Sequence, residues 1–131
     1  MKPAAWIVIA SIFGFLGVAL GAFGAHALQD RFGDYEKGIW QTAVQYHLLH
    51  AVVLLAFGLA VTTSLEVRSI AAGTLTSAIG WFFTVGILVF SGSLYALALT
   101  GTRILGAITP IGGVAFILAW LLTAWAALRA Q

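Results

Sequence analysis

Residues 4–28 read AAWIVIASIFGFLGVALGAFGAHAL, and the reading of this stretch decides whether the chain crosses a bilayer four times or three. Lys2, the apolar run and the small-x-small tripeptide Ala25-His26-Ala27 imitate a secretory leader with its cleavage site. The run from Ala4 to Ala25 exceeds the ~7–15 apolar residues of such a leader. Gly14, Gly17, Gly21 and Gly24 also recur at steps of three and four along one helical face. In lipid, apolar side chains gain little by leaving the acyl chains, so a face of small residues acts by letting a neighbouring backbone come close. The stretch is therefore expected to be a retained, packing helix over about 4–27, with His26 at its end and roughly opposite the middle of the glycine stripe.

The rest of the chain supports that choice. Of 131 residues, 62% are hydrophobic and 8% charged, with a mean hydropathy of +1.06, whereas soluble domains carry roughly a quarter charged residues. The charges leave uncharged stretches at 3–29, 38–65, 69–102 and 104–128, each longer than the ~20 residues a span requires. The expected fold is an all-α integral membrane protein: one domain, 1–131, forming a bundle of four transmembrane helices at about 4–27, 40–63, 71–99 and 106–128. Pro110 suits a first helical turn of the last one. Both termini then lie on the same side of the membrane. Lys2, Arg68 and Arg129 on that side tie with Arg31, Lys37 and Arg103 on the other, so the positive-inside rule barely orients the bundle; cytoplasmic termini are the orientation adopted. Six scattered Lys and Arg residues form no basic cluster and give no support to a nucleic-acid partner. The absence of cysteine removes disulfides, thiolate metal sites and thiol nucleophiles.

Four crossings bring the end of helix one, the start of helix two, the end of helix three and the start of helix four to one side. That side collects His26, Gln41, Gln45, Tyr46, His47, His50, Ser91, Ser93, Tyr95 and Thr109, with Arg103 nearby, while the other half of the bundle holds little beyond scattered Ser and Thr. If Trp40 marks the interface, His50 lies ten residues deeper, about 15 Å. That is near the midplane of a ~30 Å hydrocarbon core, where an ionisable residue is by default a functional-site candidate.

Several chemistries fit these residue types. His47 and His50, three apart on one face, could join His26 in a three-imidazole metal site, though no acidic residue lies in the spans to orient it. A b-type haem ligated by histidine is a weaker option, and a c-type attachment is excluded by the missing cysteines. A binding pocket for a small polar ligand, lipid head group or proton would use His26, Gln45, Tyr46, His50, Ser91, Ser93 and Tyr95, since histidine titrates near neutral pH and the hydroxyls hydrogen-bond. The competing reading is that the same side chains only staple the helices together. Ser91 or Ser93 as a catalytic nucleophile lacks an intramembrane carboxylate to orient a histidine base, so the sequence argues against an enzyme more than for one.

Four segments, GAFGAHAL (21–28), TAVQYHLLHAVVLL (42–55), FSGSLYALALTG (90–101) and LGAITPIGGVAFILAW (105–120), together resemble the small four-span membrane proteins known as domain of unknown function family 423. The resemblance implies a multi-pass protein of the bacterial inner membrane and supplies no biochemical activity to carry over. Its motifs fall on Gly21, Gly24, His26, Tyr46, His50, Ser91, Gly92, Ser93, Tyr95, Thr109, Pro110, Gly112 and Gly113. Glutamine is common at the place of His47 in similar sequences, which leaves His26 and His50 as the better histidine pair. Gly112 and Gly113 are expected to serve close helix packing. The lipid bilayer, an unidentified small ligand and a second copy of the chain are the expected partners; a metal ion is compatible with the histidines and not required by them.

Overall fold

A computed structural model describes residues 2–64 and 73–129. The loop with Glu66 and Arg68, and the expected start of the third helix at 71, lie outside the described residues. Four helices make up the bundle: α1 (Ala4–His26), α2 (Asp34–Thr63), α3 (Thr74–Thr100) and α4 (Ile104–Leu128). Each is long and apolar enough to cross a membrane. α3 is interrupted by one π-helical turn, Ile87–Ser91.

Two starts differ from the sequence-based expectation. α2 begins at Asp34 rather than at 40, because Gly33 supplies an extended N-cap and Asp34 and Glu36 sit in the first turn, where negative charge offsets the helix dipole. Only the part beyond Lys37 is free of charge, so charge and hydropathy locate the span but not the helix. α4 begins at Ile104, which places Pro110 inside the helix instead of in its first turn. Pro110 has no N–H to give the carbonyl of Gly106, a loss that membrane helices tolerate where neighbours compensate. Gly101, at φ +68°, ends α3 in the left-handed conformation and lets the chain turn into α4 within three residues.

α1 lies antiparallel to α2, and the glycine stripe sets the contact. A Cβ at Gly17 would meet Leu48 at 2.6 Å, one at Gly21 would meet Val44 at 3.3 Å, and one at Gly24 would run into the indole of Trp40. Gly14, expected to share this role, has nothing within 4 Å of its Cβ position: it lies about 60° round α1 from Gly17, at the edge of the stripe, which packs over three glycines rather than four. Farther along, Gly58 of α2 approaches the backbone of Ile7, and Gly80 of α3 takes the Trp6 ring. α3 and α4 pair through Gly86, beneath Phe116, and Gly112, against the backbone of Phe90 in the π turn. Gly113 is only in ordinary van der Waals contact with the Phe90 ring, at 3.8 Å.

Two apolar cores result. The larger, in the half near the termini and the midplane, includes Trp6, Leu54, Val61, Ile79, Phe83 and Ile87; the smaller closes the opposite end with Leu28, Trp40, Ala43, Tyr95 and Ala98. Phe15, Val18, Val52, Leu88 and Ile117 point outward, an apolar exterior that suits acyl chains and not water.

Candidate functional site

Between the two cores lies a layer of polar side chains. The π turn adds a residue to the helical register and directs Ser91, which is fully buried, together with Ser93 and Tyr95 into the bundle. π turns of this kind recur at functional sites. Tyr95 leans on Trp40 with ring centroids 4.7 Å apart, and its hydroxyl lies 3.2 Å from Nδ1 of buried His47. His47 otherwise faces α1: its ring stands edge-on to Phe13, 5.7 Å away. Its Nε2 nevertheless closes no hydrogen bond, and neither does the hydroxyl of Ser91. Ser93 and Thr109 join α3 to α4 with hydroxyls 2.7 Å apart. Whichever donates, the other keeps its proton for a carbonyl of its own helix, Phe90 at 3.0 Å or Leu105 at 3.2 Å.

His50 sits one turn deeper, in different surroundings. It stacks on Phe116 at 3.6 Å between centroids, with Phe83 at 6.0 Å and Tyr46 at 5.9 Å. Its Nδ1 lies 2.9 Å from the Tyr46 carbonyl. A carbonyl only accepts, so Nδ1 carries the proton and Nε2 of the neutral ring keeps its lone pair.

The histidines are therefore not gathered. Among the described residues no group of three His, Cys, Asp or Glu side chains could hold a metal ion, which corrects the expected His26, His47 and His50 ligand set. The ~60° between His47 and His50 on α2 suffices to send one toward α1 and Tyr95 and the other toward α3 and α4. His26, the last residue of α1, is exposed, so the pairing of His26 with His50 fails as well. Of the expected ligand-binding set, Ser91, Ser93, Tyr95 and His50 are in the interior, Tyr46 is 39% exposed with its ring 4.6 Å from Phe90, and His26 and Gln45 are outside. His47, given less weight than His50, is the one joined to Tyr95.

Tyr95→Phe tests the central pair. It leaves the ring packing intact and strips His47 Nδ1 of its partner, at an expected cost of about 1–2 kcal/mol. Chemical denaturation in detergent measures it, and a change under about 0.5 kcal/mol would mean that the pair contributes nothing.

A second feature regroups the polar residues: a hollow of about 430 Å³ on the outer side of the α1–α2 contact is lined by Gln29, Lys37, Gln41 and Gln45 over a floor of Gly21 and Gly24, and of these only Gln45 was expected to bind a ligand. The Lys37, Gln41, Gln45 spacing of four was the available signal.

Four apolar spans with an apolar exterior and a buried polar layer define a multi-pass helical membrane protein. The family described as protein of unknown function (DUF423) matches residues 20–113, and the chain belongs to it. It is 45% identical over 124 residues to the UPF0382 membrane protein YwdK of Bacillus subtilis, covering 95% of this chain and 96% of the relative. It is 42% identical over 123 residues to the UPF0382 inner membrane protein YgdD of Escherichia coli K12, covering 94% and 88%. No solved structure matches.

Proposed function

We propose that the polar layer is the working part of this protein, and that it binds a small, uncharged, hydrogen-bonding molecule at His47 Nε2 and Ser91 Oγ. The observation that carries this reading is that both atoms are buried without a partner. Each such group costs about 1–3 kcal/mol, a cost that a bound molecule relieves. The ligand is uncharged because 38–65 and 69–102 hold no charged residue to balance it. Binding is favoured over conduction across the membrane, because Trp6, Leu54, Ile79 and Phe83 fill the core beyond the layer, each at most 1% exposed.

A second reading has its own support: the Ser93–Thr109 and His47–Tyr95 pairs can be plain helix staples. The two serines separate these readings. Ser93→Ala should lose about 1 kcal/mol with its hydrogen bonds, whereas Ser91→Ala removes an unpaired hydroxyl and should leave the unfolding free energy unchanged or raised. Ser91→Ala losing as much as Ser93→Ala would make Ser91 a staple. The direct test is NMR of ¹⁵N-histidine-labelled protein in nanodiscs, using water as the probe. Magnetisation transfer from water to His47 Nε2, weakened in Ser91→Val, is the expected result, and a His47 without water contact overturns the proposal.

A further inference from the structure

We propose that the crevice between α1 and α2 is a binding site for a membrane glycerophospholipid, with the lipid phosphate held by Lys37 and the amides of Gln41 and Gln45. This site lies outside the bundle and is independent of the buried polar layer.

Lys37, Gln41 and Gln45 occupy one stripe of α2, each four residues from the next, and line the hollow of about 430 Å³ together with Gln29. Lys37 is the one charged side chain in that lining. The floor is made by Gly21 and Gly24, backed by Trp40, whose indole N–H donates to the Leu20 carbonyl at 3.0 Å. A tryptophan held this way marks interfacial depth. Gln45 lies five residues deeper, about 7.5 Å along the axis, where an outward-facing amide without a partner is costly. Among the described residues neither the Gln41 nor the Gln45 side chain has a hydrogen bond within the chain, and Lys37 has no ion pair. Their partner must come from outside.

The same stripe changes character below Gln45. Leu49 and Val52 follow, 54% and 64% exposed, with Val18 of α1 also open to the membrane. One surface track thus offers a cation, then amide donors, then hydrocarbon, over a length that matches the phosphate, ester and chain regions of one lipid. A phosphodiester carries one negative charge, which Lys37 balances, and its oxygens and those of the esters accept from the amides. Free inorganic phosphate would satisfy the upper half only and leave the apolar track unused.

Native mass spectrometry of the full chain, released from detergent after addition of phosphatidylglycerol, reads the site as lipid adducts. The expected result is a retained lipid whose apparent affinity falls about tenfold or more in Lys37→Gln/Gln41→Leu, the scale of one charge-assisted hydrogen bond. Because these side chains make no internal hydrogen bond or ion pair, the double variant should keep the thermal midpoint of the unaltered chain. Ala25→Phe, which fills the crevice from α1 without touching a charge, should weaken the adduct as well and guards against a folding artefact in either variant. Equal lipid retention by the unaltered chain and both variants overturns the proposal. Loss of the adduct on adding millimolar inorganic phosphate overturns it too, by showing an anion site without a lipid requirement.

Discussion

Replacing Gly112 by alanine is expected to destabilise the bundle by about 3 kcal/mol or more, the largest effect of any single added methyl group in the described structure. The new Cβ would overlap the backbone nitrogen and Cα of Phe90. A flexible side chain can swing away from such a clash, but Phe90 is in the π turn, and its backbone moves only if α3 and α4 separate. Overpacking of ordinary side chains costs about 1–3 kcal/mol, and a backbone clash belongs at or beyond the upper end. Gly113→Ala is the matched control. Its Cβ would stand 3.8 Å from the Phe90 ring, so the substitution should be neutral or gain up to about 1 kcal/mol from helix propensity. The two neighbours should therefore differ by several kcal/mol in detergent unfolding. Similar values for both would mean that α3 and α4 do not pack at Gly112. Since Phe90 immediately precedes Ser91, the Gly112 variant should also disorder the polar layer, visible as broadened Tyr95 and His47 side-chain signals.

This contrast shows where sequence reasoning works and where it stops. Charge spacing revealed four spans, because a charge in hydrocarbon is expensive and the chain avoids it except in loops and at helix ends. Connectivity then placed the polar ends of all four helices on one side without any geometry. Which glycine touches what was not legible: Gly14 and Gly17 lie within about 60° of each other on α1, yet only Gly17 meets α2, since spacing does not encode where in the stripe the contact line falls. The π turn at Ile87–Ser91 left no local signal either; it coincides with the place where Gly112 admits the Phe90 backbone, a contact distant in sequence. His47 and His50 illustrate a third limit. Three residues apart, they look like one face, but α2 touches α1 on one flank and α3 and α4 on the other, so a small rotation changes every neighbour. His26 resembled a partner because it lies at the polar end, and its exposure at the helix terminus removes it from the interior. The crevice at Lys37 was overlooked because an outward-facing polar stripe matters only once the side chains facing it are known.

Trp40→Ala is expected to cost about 3 kcal/mol and to dismantle the polar end of the bundle. Trp40 is 4% exposed and joins three elements at once. Its ring fills the space left open at Gly24 of α1, its N–H donates to the Leu20 carbonyl, and it packs on Phe32 of the first loop at 5.7 Å and on Tyr95 of α3 at 4.7 Å. Truncation leaves a cavity that none of these neighbours can close without moving a helix, because the residue opposite is a glycine. In hydrocarbon the transfer part of the loss shrinks, as lipid is no worse a solvent for indole carbon than the core; the cavity and the lost packing remain. Trp40→Phe separates the terms, keeping most of the ring and giving up the donor, for about 1 kcal/mol. The consequence reaches the site through Tyr95. Without the indole beside it the phenol loses the surface that aims its hydroxyl at His47, so the 3.2 Å contact should open in Trp40→Ala and persist in Trp40→Phe. The His47 ring nitrogen resonances report this directly. A Trp40→Ala protein within 1 kcal/mol of the unaltered chain, with the His47 signals unchanged, would reduce Trp40 to an interfacial anchor and leave Gly17 and Gly21 to hold α1 on α2.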